Sequence, residues 1–229
     1  MAKVSVELNF FYMHYNDAKT FASWAKSQRD GDINPSIYVR HAIISVVFAS
    51  EALINRVLTE LSNDPNVFEL LERGSILDKW YLAPLLCGSG ASQTSFDKSS
   101  EPFQSFKELI QIRNWLAHPK VDNLIDAELD ANSTIAIGES NEEYPWLEVL
   151  KGQKWPQTRI PRNPFELTEQ HAQLAIKKLD LMVEALRSLV GGKWHDGWID
   201  LITVKDADGI HNYKAPVHSI WGGYGGPSS

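Results

Sequence analysis

Apolar residues recur at helical spacing over most of the first 190 residues of the chain. From about residue 10 to 29, positions such as Phe11 and Tyr15 lie three or four residues apart, which predicts an amphipathic helix. Residues 37–61 predict a second helix, with Ser36 as its N-cap and a middle part that is apolar on nearly every side. Because such a helix is normally surrounded by others, we expect it at the centre of a bundle.

Further stretches carry the same helical pattern. Residues 67–73, 77–86 and 103–120 predict two short helices and one long one. Thr168 caps a last helix that runs to about residue 190, where two glycines end it, and its apolar positions include Leu181. The expected fold is therefore mainly α, a four- to five-helix up-and-down bundle.

Three regions do not follow the helical pattern. Residues 1–9 alternate like a short strand or form an extended arm, and residues 121–165 change character, with strand-like runs and several prolines. Residues 198–204 are strand-like, a turn follows at 206–209, and a glycine-rich flexible tail ends the chain. We expect a bundle over 1–190, with a small β/loop insertion at about 121–165, and an irregular C-terminal extension over 191–229. Trp155 in the insertion is a packing residue or, alternatively, a base-stacking one.

Composition narrows the class of protein. The 229 residues include 29 acidic and 22 basic side chains, so the net charge of -7 does not suit a surface that binds nucleic acid along its whole length, although RNA could bind at a local basic site. The single cysteine rules out an internal disulfide and fits a reducing compartment. No segment approaches the roughly 18 apolar residues of a membrane span, so we expect a cytoplasmic protein without a membrane partner.

The predicted helix at 103–120 contains the residues that look most like a site. Arg113 falls near the middle of its apolar arc, where a guanidinium needs a carboxylate or a bound anion to offset its desolvation. His118 lies roughly 140° further round the helix, on a face with Asn114 and Trp115, and Pro119 places it near the helix end.

Two polar residues interrupt the apolar helix at 37–61. Glu51 and Asn55 are four residues apart and therefore share one face, which makes Glu51 a candidate for a buried carboxylate. Two interpretations are compatible: both residues tie this helix to a neighbour by hydrogen bonds, and Glu51 is the counter-ion of Arg113.

Other kinds of site lack the required spacing. His195, His211 and His218 lie near several aspartates, but no pair has the spacing typical of a metal site. The sequence contains no glycine-rich phosphate loop and no nucleophile elbow. We therefore expect no metal and no cofactor.

The run Ile-Arg-Asn-Trp-Leu-Ala-His at 112–118 resembles the R-x4-6-H motif of the HEPN superfamily, and Ser-Glu-Ala-Leu-Ile-Asn at 50–55 resembles part of the preceding helix in that family. The resemblance covers about residues 10–118 and the final helix. It implies a helical bundle, often dimeric, and in many members metal-independent RNA cleavage of defence or toxin–antitoxin type. Carried over, Arg113, Asn114 and His118 would be catalytic and Glu51 supporting.

The resemblance also bears on partners. One histidine does not easily serve as base and acid at once, so two motif copies in a homodimer are expected, with Trp115 as an interface anchor. RNA and an antitoxin protein are the other partners that it implies. The alternative is a non-catalytic dimeric module that binds RNA or protein, in which Arg113 is a salt-bridged structural residue and His118 a C-cap.

Overall fold

A computed structural model describes residues 5–27, 34–61, 73–87, 94–117, 153–199, 202–206 and 209–213, with Glu69 and Leu71. The α-helices in these ranges are α1 (Phe10–Ser27), α2 (Ser36–Leu61), α3 (Ile76–Cys87), α4 (Phe103–Ala117) and α5 (Glu169–Val190). They pack against one another, which confirms the predicted mainly α bundle. The predicted helix at 67–73 falls largely outside the described residues, as do the strand-like runs of the insertion.

Helix α2 lies at the centre of the bundle, as predicted, because it contacts each of the other four described helices. Its fully buried residues include Val39, Ala42, Ile43, Val46, Val47, Leu53 and Ile54. The side-chain oxygen of Asn34 accepts from the Ser36 N–H at 2.9 Å, so Asn34 rather than Ser36 caps the helix. One side of α2 is open to solvent, because Phe48 is 40% exposed.

Helix α2 also corrects an expectation about membrane spans. It is, within the described residues, long and apolar enough to cross a membrane, contrary to the expectation that no segment approaches that length. More than half of its most apolar 18-residue window, 56%, is buried inside the protein. The same length and composition therefore suit a core helix.

Helix α1 is anchored at its start and along its length. The side-chain oxygen of Asn9 accepts from the Phe11 N–H at 2.9 Å and caps the helix, while the Asn9 amide donates to the Trp198 carbonyl at 2.7 Å. The Tyr15 hydroxyl donates to Asp180 on α5. Burial and then the Asp180 carboxylate raise the pKa of Tyr15 above its ordinary value. The phenol therefore stays protonated and continues to donate this hydrogen bond.

Helix α5 begins and ends where its sequence predicts. Nδ1 of His171 accepts from the Thr168 N–H at 2.9 Å, and Gly191 has a φ of 54° at the C-cap. Burial and then Lys154 lower the pKa of His171, which keeps Nδ1 unprotonated and able to accept. The buried stripe of α5 consists of Ala172, Ala175, Ile176, Leu179, Met182, Leu186 and Val190. Leu181, one of the apolar positions of the sequence pattern, is 43% exposed.

A small sheet joins the two ends of the chain. Its strands are β1 (Ser5–Leu8), β2 (Ile202–Asp206) and β3 (Gly209–Tyr213), in the order β1-β2-β3 and antiparallel throughout. Leu8 lies opposite Ile202, and Asp206 lies opposite Gly209. The predicted strand near the N-terminus is confirmed, and its partner comes from the C-terminal extension.

The residues that follow α5 pack into the bundle. Trp198 is 1% exposed, and its Nε1 donates to a carboxylate oxygen of Glu60 on α2 at 2.7 Å. The expectation that a strand begins at Trp198 is wrong, because this residue ends a short 3-10 helix, Asp196–Trp198, and β2 begins at Ile202. The first part of the C-terminal extension therefore shares the core of the bundle.

The described end of the predicted insertion lies against α4. Glu108 is 4% exposed, and its carboxylate accepts from the backbone N–H groups of Gln157, at 3.1 Å, and Thr158. Ile160 is fully buried, and Trp155 packs against the same core. The packing interpretation of Trp155 is confirmed, and a buried carboxylate holds this turn in place.

We expect Glu108→Ala to lower the free energy of unfolding by about 2–3 kcal/mol, because two backbone N–H groups lose a charged acceptor in a buried position. Urea denaturation followed by circular dichroism measures the change. Glu69→Ala is the matched control, since Glu69 forms an exposed pair with Arg73 and its loss should cost less than about 1 kcal/mol. Equal losses for the two variants would contradict the role given to Glu108.

Candidate functional site

Helix α4 places Arg113 on its inward side, as predicted. The buried residues of α4 are Phe103, Ser105, Phe106, Glu108, Leu109, Ile110 and Ile112. Arg113 follows them with a side chain that is only 14% exposed. A guanidinium in this position keeps its charge and requires polar partners.

The predicted pairing between Arg113 and Glu51 is confirmed. Nη2 of Arg113 lies 3.7 Å from a carboxylate oxygen of Glu51, and the guanidinium carbon lies 5.5 Å from the centre of the Phe48 ring. The distance of 3.7 Å is too long for a strong hydrogen bond. Nε of Arg113 is buried and has no hydrogen-bond partner among the described residues. The planar fork of donors is therefore only partly used.

Glu51 differs from its predicted environment. Its side chain is 36% exposed, so it is not the buried carboxylate that the apolar helix suggested. The reason is tertiary: the face of α2 that carries Glu51 and Phe48 borders a groove, and Arg113 of α4 and His14 of α1 cover it only in part. Glu51 therefore reaches both Arg113 and solvent.

Asn55 ties α2 to a neighbouring helix, as predicted. Its side-chain oxygen accepts from Nζ of Lys79 on α3 at 2.9 Å. Lys79 is 3% exposed, so this bond satisfies a buried ammonium group. A second cation thus lies beside the helical turn that follows Glu51.

The other motif residues take no part in the ion pair of Arg113 and Glu51 within the described part of the chain. Asn114 is exposed and Trp115 is half-buried at the end of α4. His118 lies outside the described residues, which stop at Ala117 and resume at Gln153. The structure thus brings Arg113 and Glu51 together and leaves the roles of Asn114, Trp115 and His118 as predictions.

A groove of about 660 Å³ runs along α2 beside this pair. Its lining residues come from the start of α1, the end of β1 and one face of α2: Leu8, Asn9, Phe10, His14, Phe48, Glu51, Ala52, Asn55, Arg56, Thr59 and Glu60. From Glu51 to Glu60 it spans nine residues, about 13 Å along the helix axis. The groove combines aromatic rings with carboxylates, an amide and a guanidinium.

The end of the groove at Glu60 is tied to the C-terminal segment. A carboxylate oxygen of Glu60 lies 2.7 Å from Nε2 of His195 and accepts from Nε1 of Trp198. Nε of Arg56 lies 3.4 Å from the other oxygen. These contacts fix the Glu60 carboxylate and leave the opposite end, near Arg113, as the less constrained one.

The described residues contain no group of three or more His, Cys, Asp or Glu side chains that could hold a metal ion. His195, one of three histidines considered for a metal on the basis of sequence, contacts Glu60, and the centre of its ring lies 4.5 Å from that of Trp198, with the ring planes inclined by 52°. The side chains of His211 and His218 lie outside the described part.

The sequence analysis did not single out His14 of the groove. Its ring lies 6.4 Å from Phe10 and 5.6 Å from Phe48. The four-residue spacing of Phe10 and His14 is a signal that was available in the sequence. The contact between Phe48 and His14 could not be predicted from the sequence, because it depends on how α1 packs on α2.

Comparison of the chain with protein-family models, curated proteins and solved structures gives no match. The likeness to the HEPN superfamily therefore rests on the motif at 112–118, the Glu51 to Asn55 segment of α2 and the bundle that holds them.

Proposed function

We propose that this protein is a metal-independent endoribonuclease of HEPN type, acting in defence or in a toxin–antitoxin pair. The observation that carries the proposal is the state of Arg113: a largely buried guanidinium with one long contact to Glu51 and an Nε without a partner among the described residues. Such a group suits an anion whose charge grows during a reaction, such as a phosphate under attack.

The proposed reaction uses the nucleophile that RNA itself carries. The 2′-OH attacks the adjacent phosphorus, the bond from phosphorus to the 5′-oxygen breaks, and the products are a 2′,3′-cyclic phosphate and a 5′-hydroxyl. A base takes the proton from the 2′-OH, and an acid gives one to the departing 5′-oxygen. His118 suits both roles because its ordinary pKa lies near neutrality, and Asn114 would position a phosphate oxygen or the histidine.

A second copy of the chain completes the proposed site. Since one histidine does not serve as base and acid in the same instant, two copies of the motif across a two-fold axis would supply both groups. Trp115, half-buried next to the exposed Asn114, is the proposed interface anchor.

The test is incubation of the purified protein with single-stranded RNA in EDTA. We expect cleavage that co-elutes with the protein, a native mass of two chains, and products that end in 2′,3′-cyclic phosphate. Matched 2′-O-methyl RNA should remain intact because its 2′-oxygen cannot attack. Absence of cleavage, a requirement for Mg²⁺, or cleavage of the methylated strand would overturn the proposal.

The second candidate function is a non-catalytic dimeric module that binds RNA or protein. The observation that favours it is the set of large apolar side chains exposed near the start of α1 and on α2, namely Leu8, Phe10, Met13 and Phe48. Exposed apolar clusters of this kind are typical of interaction surfaces. A dimer that shows no cleavage in the same assay would support this function.

A further inference from the structure

Three aromatic rings line the part of the groove near Arg113. Phe10 is 58% exposed and Phe48 is 40% exposed, and both line the same groove, so they form part of one exposed apolar patch. The His14 ring lies between them, 6.4 Å from Phe10 and 5.6 Å from Phe48. Two helices therefore hold a cluster of three rings: Phe10 and His14 stack on each other, Arg113 lies over Phe48, and the rings of Phe10 and Phe48 remain partly open to solvent.

Charges at the rim make one end of the groove suited to a phosphate. The guanidinium of Arg113 lies 5.5 Å from the Phe48 ring, and its Nε has no hydrogen-bond partner within the part of the chain that the structure describes. Glu51 lines the groove beside Arg113 and can accept a hydrogen bond from an amino group, whereas the Glu60 carboxylate at the far end is already held by His195 and Trp198. A ligand that is aromatic in its body and anionic at one end fits this distribution.

We propose that the groove binds one unpaired nucleobase of the RNA, stacked on the exposed ring of Phe10 and bordered by His14 and Phe48, with the adjoining phosphate directed to Arg113. This inference rests on the proposed function and names the part of the substrate that the enzyme recognises. A volume of about 660 Å³ is in the range of small-molecule sites. Stacking on aromatic side chains is the common way in which proteins hold single-stranded bases.

The Glu51 carboxylate also gives the groove a preference among bases. Adenine, cytosine and guanine carry an exocyclic amino group that a carboxylate can accept from, whereas uracil carries none. Glu51 lies next to the aromatic row and is partly exposed, so it is available to such a group. We therefore expect adenine-containing strands to bind more tightly than uracil-containing ones.

The test measures binding of short 2′-O-methyl oligoadenylate, which is not cleaved, by fluorescence anisotropy. Phe10→Ala is expected to weaken binding about tenfold, the loss typical of one stacked base. Phe165→Ala is the matched control, because Phe165 is 57% exposed and lines a different cavity, and it should leave the affinity unchanged. An abasic oligonucleotide has no base to stack, so it should bind the wild type and Phe10→Ala with the same low affinity. Oligouridylate should bind less tightly than oligoadenylate to the wild type.

Several results would overturn the inference: equal affinities for Phe10→Ala and the wild type, or binding of free AMP without binding of the oligonucleotide. A fall of Phe10→Ala to the mass of one chain with unchanged oligonucleotide affinity would also overturn it, because the groove would then be an interface between copies. Cleavage of RNA that does not depend on Phe10 would reject the base site and leave the nuclease standing. Binding that depends on Phe10, in a protein that does not cleave RNA, would support the base site and reject the nuclease.

Discussion

Replacing His118 with alanine is expected to lower the rate of RNA cleavage by about 10²–10⁴-fold, the usual contribution of a general acid or base. Arg113→Lys should lower it by about 10²–10³-fold, the loss typical of one group that stabilises transition-state charge. Lysine keeps the positive charge beside Glu51 but replaces the planar fork with a point charge. Stability should therefore change little while activity falls.

Initial rates at saturating RNA in EDTA, together with thermal unfolding of each variant, separate the two effects. Arg187→Lys is the control for the arginine substitution, because Arg187 is half-exposed and its Nη2 lies 3.9 Å from Oδ1 of Asp196, outside the groove. It should retain the wild-type rate. Full activity of His118→Ala, or of Arg113→Lys in a folded protein, would show that the motif is not the source of the cleavage.

Trp198→Ala is expected to lower the free energy of unfolding by about 3–5 kcal/mol, the usual cost of deleting a buried Trp side chain. Trp198 is 1% exposed and packs in the core of the bundle, and its Nε1 bond to Glu60 is lost with the ring. His195 loses its ring contact with Trp198 at the same time. The carbonyl that Asn9 binds remains, because it belongs to the backbone.

Urea denaturation followed by circular dichroism measures this loss, and limited proteolysis reports whether residues 191–213 become accessible. Trp24→Ala is the matched control, since Trp24 is 49% exposed on α1, and it should cost less than half as much. If both tryptophans cost the same, or if Trp198→Ala is neutral, the C-terminal segment does not share the core in the way described.

Much of the helical architecture could be predicted from the residues alone. The helical period placed α1, α2, α3 and α5 within a few residues of their observed bounds, since local propensity and capping act within one or two turns. The inward position of Arg113 and its pairing with Glu51 also followed from the sequence. An arginine within an apolar arc needs a counter-ion, and Glu51 is the carboxylate that interrupts the apolar middle of the central helix.

Other features could not be predicted because their partners are distant in the chain. The sequence of α4 gives no reason for Glu108 to be buried, and only the turn around Gln157 and Thr158 explains its burial. β1 needed a partner strand almost 200 residues later, and nothing in its own four residues identifies that partner.

The sequence by itself determined that this chain forms a bundle around α2 and that Arg113 is held on the inward side of α4, because helical periodicity and the cost of burying a charge are local properties. Only the tertiary structure decided that Glu51 and Phe48 border an open groove and that Phe10 and His14 face them there. Which side of an apolar helix remains uncovered depends on how all its neighbours pack.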